Sequence, residues 1–84
     1  MSAEKDLDIK TDIIYIPLLN EGTPVLRPTL GLRLKGDIFK VLATEDYDPD
    51  DEEWEFPPMS IVDCKIEQWN GEDVLVAREN VDSI

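Results

Sequence analysis

Residues 61–77 read IVDCKIEQWNGEDVLVA, a pattern that is typical of a β-hairpin. Apolar residues, many of them β-branched, stand on both sides of the pair Asn70–Gly71, and both members of that pair tolerate a positive φ angle. A two-residue connection of this kind joins antiparallel strands directly. We therefore predict strands at 60–69 and 73–78.

Three further strands are predicted upstream, at 12–19, 25–34 and 37–43. The last two are separated by the turn sequence KGD, so they form a second hairpin. In the middle strand, leucines alternate with other residues at a period of two, which predicts that Leu30, Leu32 and Leu34 face the interior. No segment has a sustained helical period.

Five short strands joined by turns cannot bury both faces as a flat sheet, and closure removes the exposed edges. We expect a mainly β fold, a small five-stranded antiparallel barrel of the SH3-like type, with an acidic loop between its third and fourth strands. The single domain would span 12–80, between a flexible tail at 1–11 and a short tail at 81–84. The predicted core residues are Ile14, Ile16, Leu32, Phe39, Val41, Val62, Cys64, Ile66 and Val76.

The chain is strongly acidic, since its 84 residues include 20 acidic and 8 basic ones and carry a formal net charge of −12. We expect nucleic acid and anionic membranes to be repelled and a basic protein surface to be attracted. The alternative is that the acidity only keeps a small protein soluble. The polar N terminus, the absence of a long apolar run and the single cysteine predict a cytoplasmic location.

The sequence contains no histidine, which removes the commonest general base and the commonest metal ligand. The only cysteine, Cys64, therefore has no base to activate it. Its place between Val62 and Ile66, at a two-residue period, predicts a core side chain. We expect neither enzyme activity nor a cofactor.

Charge is concentrated in residues 44–55, TEDYDPDDEEWE, where eight of twelve residues are acidic. Repulsion among like charges disfavours a packed element, so this acidic segment is predicted to be a surface loop. Aromatic residues flanked by acids suit an interface with a basic, partly apolar partner. The alternative is that Trp54 pins the loop onto the sheet. The candidate partner-binding residues are Tyr47, Asp48, Asp50, Asp51, Glu52, Glu53 and Trp54.

Three aspartates of this segment, Asp46, Asp48 and Asp50, have the spacing of the first ligands of an EF-hand loop. The pattern then fails, because Asp51 stands where glycine is needed and Pro57 where the bidentate glutamate belongs. We predict no specific metal site. A loose carboxylate cluster would at most collect divalent cations weakly.

Two stretches, IYIPLLNEGTPVLRP at 14–28 and WEFPPMSIVDC at 54–64, resemble a family of short uncharacterised bacterial proteins with the pattern "PLL-E-GT-V-RP … WEFPPGS-V-C". Leu26 stands where that family commonly has tryptophan, and Met59 where it commonly has glycine. The resemblance implies a bacterial origin but neither an activity nor site residues. The first motif also suggests an ion pair between Glu21 and Arg27.

The function that these observations favour is a non-enzymatic binding module that recognises a basic protein surface. An immunity or antitoxin-type inhibitor of a nuclease is its most concrete form, because a nuclease must itself be basic. The alternative is an accessory subunit that joins a larger assembly through a sheet edge. A weak divalent-cation binder or an enzyme ranks last.

Overall fold

Six β-strands form the part of the chain, residues 10–81, that a computed structural model describes. They are β1 (Thr11–Leu19), β2 (Leu26–Lys35), β3 (Ile38–Val41), β4 (Glu53–Trp54), β5 (Ile61–Trp69) and β6 (Glu72–Asn80). The mainly β prediction is confirmed, and each predicted strand is present with bounds that differ by at most two residues. Most of both predicted tails, at 1–9 and 82–84, lies outside the described residues. The described part contains no helix that could cross a bilayer.

The strands pair in the order β2-β3-β5-β6-β1, and β1 pairs again with β2, so these five strands close into a ring. The small strand β4 adds to the end of β1 outside this ring. All ring pairings are antiparallel except β1–β6, which is parallel and consists of the single pair Tyr15–Val76. A ring with an odd number of strands must contain at least one parallel pair. The sheet is therefore mixed, unlike the wholly antiparallel sheet expected from the sequence.

Both predicted hairpin turns are present, and their residues have the positive φ angles that such turns need. Asn70 and Gly71 both have positive φ angles, 52° and 82°, and connect β5 to β6 directly. Gly36, between β2 and β3, also has a positive φ of 54°. Turn chemistry, which depends only on neighbouring residues, was thus read correctly from the sequence.

The interior of the ring holds most of the predicted core. Seven of the nine predicted residues are fully buried. Of the other two, Leu32 is only partly buried, and the prediction for Ile66 is wrong, because Ile66 is 67% exposed. Ile66 is exposed because the ladder between β3 and β5 ends at Asp63, so the β5–β6 hairpin projects beyond it.

The inward face of β2 is shifted by one residue from the prediction. Gly31 faces the core, and a Cβ atom there would lie 2.7 Å from Cδ1 of Ile14 and 3.1 Å from the Phe39 ring. Ile14 and Phe39 thus occupy the space that a side chain at position 31 would need. The alternating leucines Leu30 and Leu34 consequently point outward, 45% and 37% exposed.

A tight turn precedes β5 and fixes its entry into the sheet. The Ser60 amide donates to the Pro57 carbonyl at 3.1 Å, and Met59, the third residue of this turn, has a φ of 81°. Proline at the second position followed by a residue with positive φ is the arrangement of a type II turn. The Met59 amide in turn donates to the Val41 carbonyl at 2.8 Å, which ties the turn to β3.

Candidate functional site

The acidic segment is a folded connection of consecutive turns that runs from the end of β3 into β4. The Asp48 carbonyl accepts hydrogen bonds from the amides of Asp51, at 2.9 Å, and Glu52, at 3.1 Å. The Asp48 carboxylate also accepts from the Asp50 amide at 2.9 Å. Aspartate commonly stabilises turns in this way. The side chain of Asp48 therefore has a structural role in shaping the segment.

Two aromatic side chains attach the segment to the ring. Trp54 is only 4% exposed and belongs to the buried core, and Tyr47 packs against that core. Their rings meet edge to face with centroids 4.7 Å apart, a favourable arrangement for aromatic pairs. The alternative reading, in which Trp54 pins the segment to the sheet, is the one that its burial supports.

An ion pair with Arg27 of β2 holds the middle of the segment. The Arg27 guanidinium donates to both carboxylate oxygens of Glu52, with 3.0 Å between Nε and Oε1. The Trp54 indole N–H donates to the same Oε1 at 3.2 Å. The hydrogen bond from Arg27, and to a smaller extent that from Trp54, lowers the pKa of Glu52. The same bond to Glu52 raises the pKa of Arg27. Arg27 thus pairs with Glu52 and not, as the motif suggested, with Glu21.

The remaining charges of the segment point outward. Seven of its eight carboxylates are exposed, and Glu52 is half-buried. Asp46, Asp48, Asp51 and Glu52 line one hollow of about 300 Å³ together with Arg27. Asp50 and Glu53 do not line it, and Glu53 accepts a hydrogen bond from the Asn20 side chain instead. The structure therefore gathers four carboxylates around a single arginine.

Two charged residues that line this hollow, Arg27 and Asp46, were not among the candidates predicted from the sequence, and Arg27 is the one that lies outside the acidic segment. Arg27 lies in β2, far from the acidic segment in the sequence. Its ion pair with Glu52 therefore depends on the fold, which places β2 next to that segment. Arg27 is one of eight basic residues among 20 acidic ones, and the sequence alone does not indicate which carboxylate it pairs with.

Two features of the described residues bear on covalent and metal chemistry, namely the Cys64 thiol and the placement of side chains that could ligate a metal. Cys64 is fully buried, and desolvation by burial raises the pKa of its thiol to about 12, which keeps it protonated and a poor nucleophile. Between residues 10 and 81, no three histidine, cysteine or carboxylate side chains are placed to share a metal ion. What this surface offers chemically is a preformed field of negative charge.

No protein-family model, curated protein or solved structure matches the chain.

Proposed function

We propose that this protein is a non-enzymatic binding module that recognises a basic protein surface through its acidic segment. The observation that carries the proposal is that seven carboxylates are exposed on a segment whose backbone is fixed by hydrogen-bonded turns and by the rings of Trp54 and Tyr47, which pack on the core. Because the segment is already folded, little conformational entropy is lost when a partner docks on it. Repulsion among the carboxylates is relieved when a basic surface covers them.

The most concrete form of this function is an immunity or antitoxin-type inhibitor that covers the substrate-binding surface of a nuclease. A nuclease needs basic side chains to hold the phosphates of its substrate. An acidic protein competes for those side chains, and long-range attraction raises its association rate. We further propose that the protein is bacterial and cytoplasmic, and that its ring of five strands is a small barrel of the SH3-like type.

A second candidate function is that of an accessory subunit that joins a larger assembly through a sheet edge. The observation that favours it is the short ladder between β3 and β5, which ends at Asp63. Beyond that point, no strand among the described residues pairs with the side of 65–69 that faces away from β6. A partner strand would bind there through main-chain hydrogen bonds, with little dependence on salt.

Association kinetics with basic proteins encoded by neighbouring genes test the first function. We compare the parent with Asp50→Lys/Asp51→Lys, which reverses two exposed charges whose side chains accept no hydrogen bond within the described part of the chain. The matched control is Glu72→Lys/Asp73→Lys, which makes the same charge change on the β6 side of the molecule. We expect the first variant to associate at least about tenfold more slowly at low salt, and the control to be much less affected.

Two results would contradict the proposal. Equal slowing by both variants would mean that the acidic segment contributes no more to association than another acidic part of the surface. Binding that is unaffected by salt and by both variants would favour the sheet edge, and pairing at 65–69 would then be tested with a proline at position 66 or 68.

A further inference from the structure

A groove of about 600 Å³ lies where the β5–β6 hairpin meets the connection between β1 and β2. Half-buried apolar side chains from both parts line it, namely Tyr15, Val25, Leu26, Trp69 and Val74. A cleft of about 360 Å³ between β1 and β6 continues the groove, since the two share Tyr15, Val74 and Glu72. No residue of the acidic segment lines either of them, so this is a separate surface.

The aromatic wall of the groove is held in a fixed orientation. The indole N–H of Trp69 donates to Glu67 Oε1 at 3.2 Å. Glu67 is in turn held by two hydrogen bonds from Arg78, at 2.5 and 2.6 Å, and these bonds lower the pKa of Glu67 to about 2. Glu67 therefore stays ionised at neutral pH and keeps the indole in place. A ring that is already oriented loses little entropy when a ligand packs against it.

The cleft exists because β1 and β6 are joined by the single pair Tyr15–Val76. The Lys10 carbonyl accepts from the Arg33 amide at 2.8 Å on the β2 side of β1. Main-chain groups alternate in direction along a strand, so those of Ile13 point to the opposite side, toward the cleft. Within the described residues, the N–H and C=O groups of Ile13 belong to no ladder pair with β6. An extended peptide could pair with main-chain groups of this kind.

The end of the groove carries negative charge that no ion pair among residues 10–81 neutralises. Glu72 and Asp73 are exposed at the start of β6, and neither forms an ion pair with another residue between 10 and 81. Asp12, across the cleft, differs in that Arg33 binds it at 2.8 Å. Two exposed carboxylates beside an apolar groove favour a ligand that places a cation next to an apolar side chain.

We propose that this groove is a second interaction surface, which binds an extended peptide segment of a partner protein that carries an apolar side chain next to a lysine or arginine. The apolar side chain packs between Leu26 and Trp69, where burial of apolar area drives binding. The basic side chain meets Glu72 and Asp73. The site thus differs from the acidic segment, which offers charge with no apolar groove.

The test is selection from a random linear dodecapeptide library on the whole protein. Selected peptides are synthesised and titrated while the Trp69 indole N–H and the amides of Val25 and Val74 are followed by NMR. We expect enriched sequences that combine an apolar residue with a neighbouring lysine or arginine, and shifts at these three reporters. The charge variants then assign the binding energy to one surface.

Glu72→Lys/Asp73→Lys should weaken the selected peptide at least about tenfold, since both cation partners are reversed. The matched control, Asp50→Lys/Asp51→Lys, should leave its affinity within about twofold, because the two sites are separate. Selection without a consensus, a consensus without a basic residue, equal weakening by both variants, or shifts confined to the acidic segment would each overturn the proposal. The control variant is also the one that disrupts the proposed basic-protein interface, so the two functions fail separately.

Discussion

Met59 holds a backbone conformation that suits glycine. Its φ of 81° lies in the left-handed region, where the Cβ atom of an L-residue is crowded by the following carbonyl. The side chain is 65% exposed, so its packing offsets little of that cost. Pro58 and the hydrogen bond from Ser60 to Pro57 impose the turn, and a type II turn needs a positive φ at this position.

We expect Met59→Gly to raise the free energy of unfolding by about 1 kcal/mol, because left-handed strain of ~1–2 kcal/mol exceeds the ~0.5–1 kcal/mol cost of glycine's flexibility. Urea unfolding measures the change. Met59→Ala is the control, since it removes the long side chain and keeps the crowded Cβ. An equal gain with alanine, or a loss with glycine, would contradict this account.

Residue patterns predicted the core correctly in β1, β3 and β6, and less well in β2 and toward the end of β5. The two-residue period gave Val62 and Cys64 correctly and extended too far, to Ile66, because nothing local in the sequence marks where β3 stops covering β5. In β2 the leucine alternation was misleading. The inward residue is Gly31, and only the positions of Ile14 and Phe39 on other strands explain why.

At the scale of elements, β4 connects the candidate site to the fold. Its two residues pair with Leu18 and Leu19 of β1, and the Glu55 amide donates to the Pro17 carbonyl at 2.9 Å. A two-residue strand is too short to show a sequence period, and its acidic neighbours predict a loop. Strand β4 could therefore not be predicted without knowing where β1 lies. The acidic character of the segment was predictable, whereas its anchoring was left as one of two alternatives.

We expect Trp54→Ala to lower the free energy of unfolding by roughly 3–5 kcal/mol, as for other buried aromatic residues. The change removes a side chain that is 4% exposed, together with its contact to Tyr47 and its hydrogen bond to Glu52. Chemical denaturation followed by circular dichroism measures the loss.

The matched control for this prediction is Trp69→Ala, which removes the other tryptophan of the chain. Trp69 is half-buried and lines the groove, so its loss should cost clearly less. A Trp54→Ala protein as stable as the parent, or a larger loss at Trp69, would show that the acidic segment is not anchored through Trp54.

At the scale of the whole molecule, a net charge of −12 on a chain of 84 residues opposes folding through self-repulsion. We expect the thermal unfolding midpoint to rise with added NaCl. Most of the rise should occur below ~0.1 M, because the Debye length falls from ~30 Å at 0.01 M to ~10 Å at 0.1 M.

A control variant assigns that rise to charge. Asp50→Lys/Asp51→Lys reduces the net negative charge and should show a smaller increase over the same range. A midpoint that stays constant below ~0.1 M and climbs only at molar salt would indicate preferential exclusion of salt from the surface and not screening.

The junction between β1 and β6 also bears on the order in which the protein folds. The two hairpins join strands that are neighbours in sequence, whereas Tyr15 and Val76 are separated by most of the chain. Bringing such distant positions together costs more loop-closure entropy than forming a hairpin does. Among residues 10–81, only one ladder pair between β1 and β6 offsets that cost. We therefore expect the hairpins to form first and the ring to close last. By the same reasoning we expect this seam to open first, so that the contact that completes the fold is also the first to be lost.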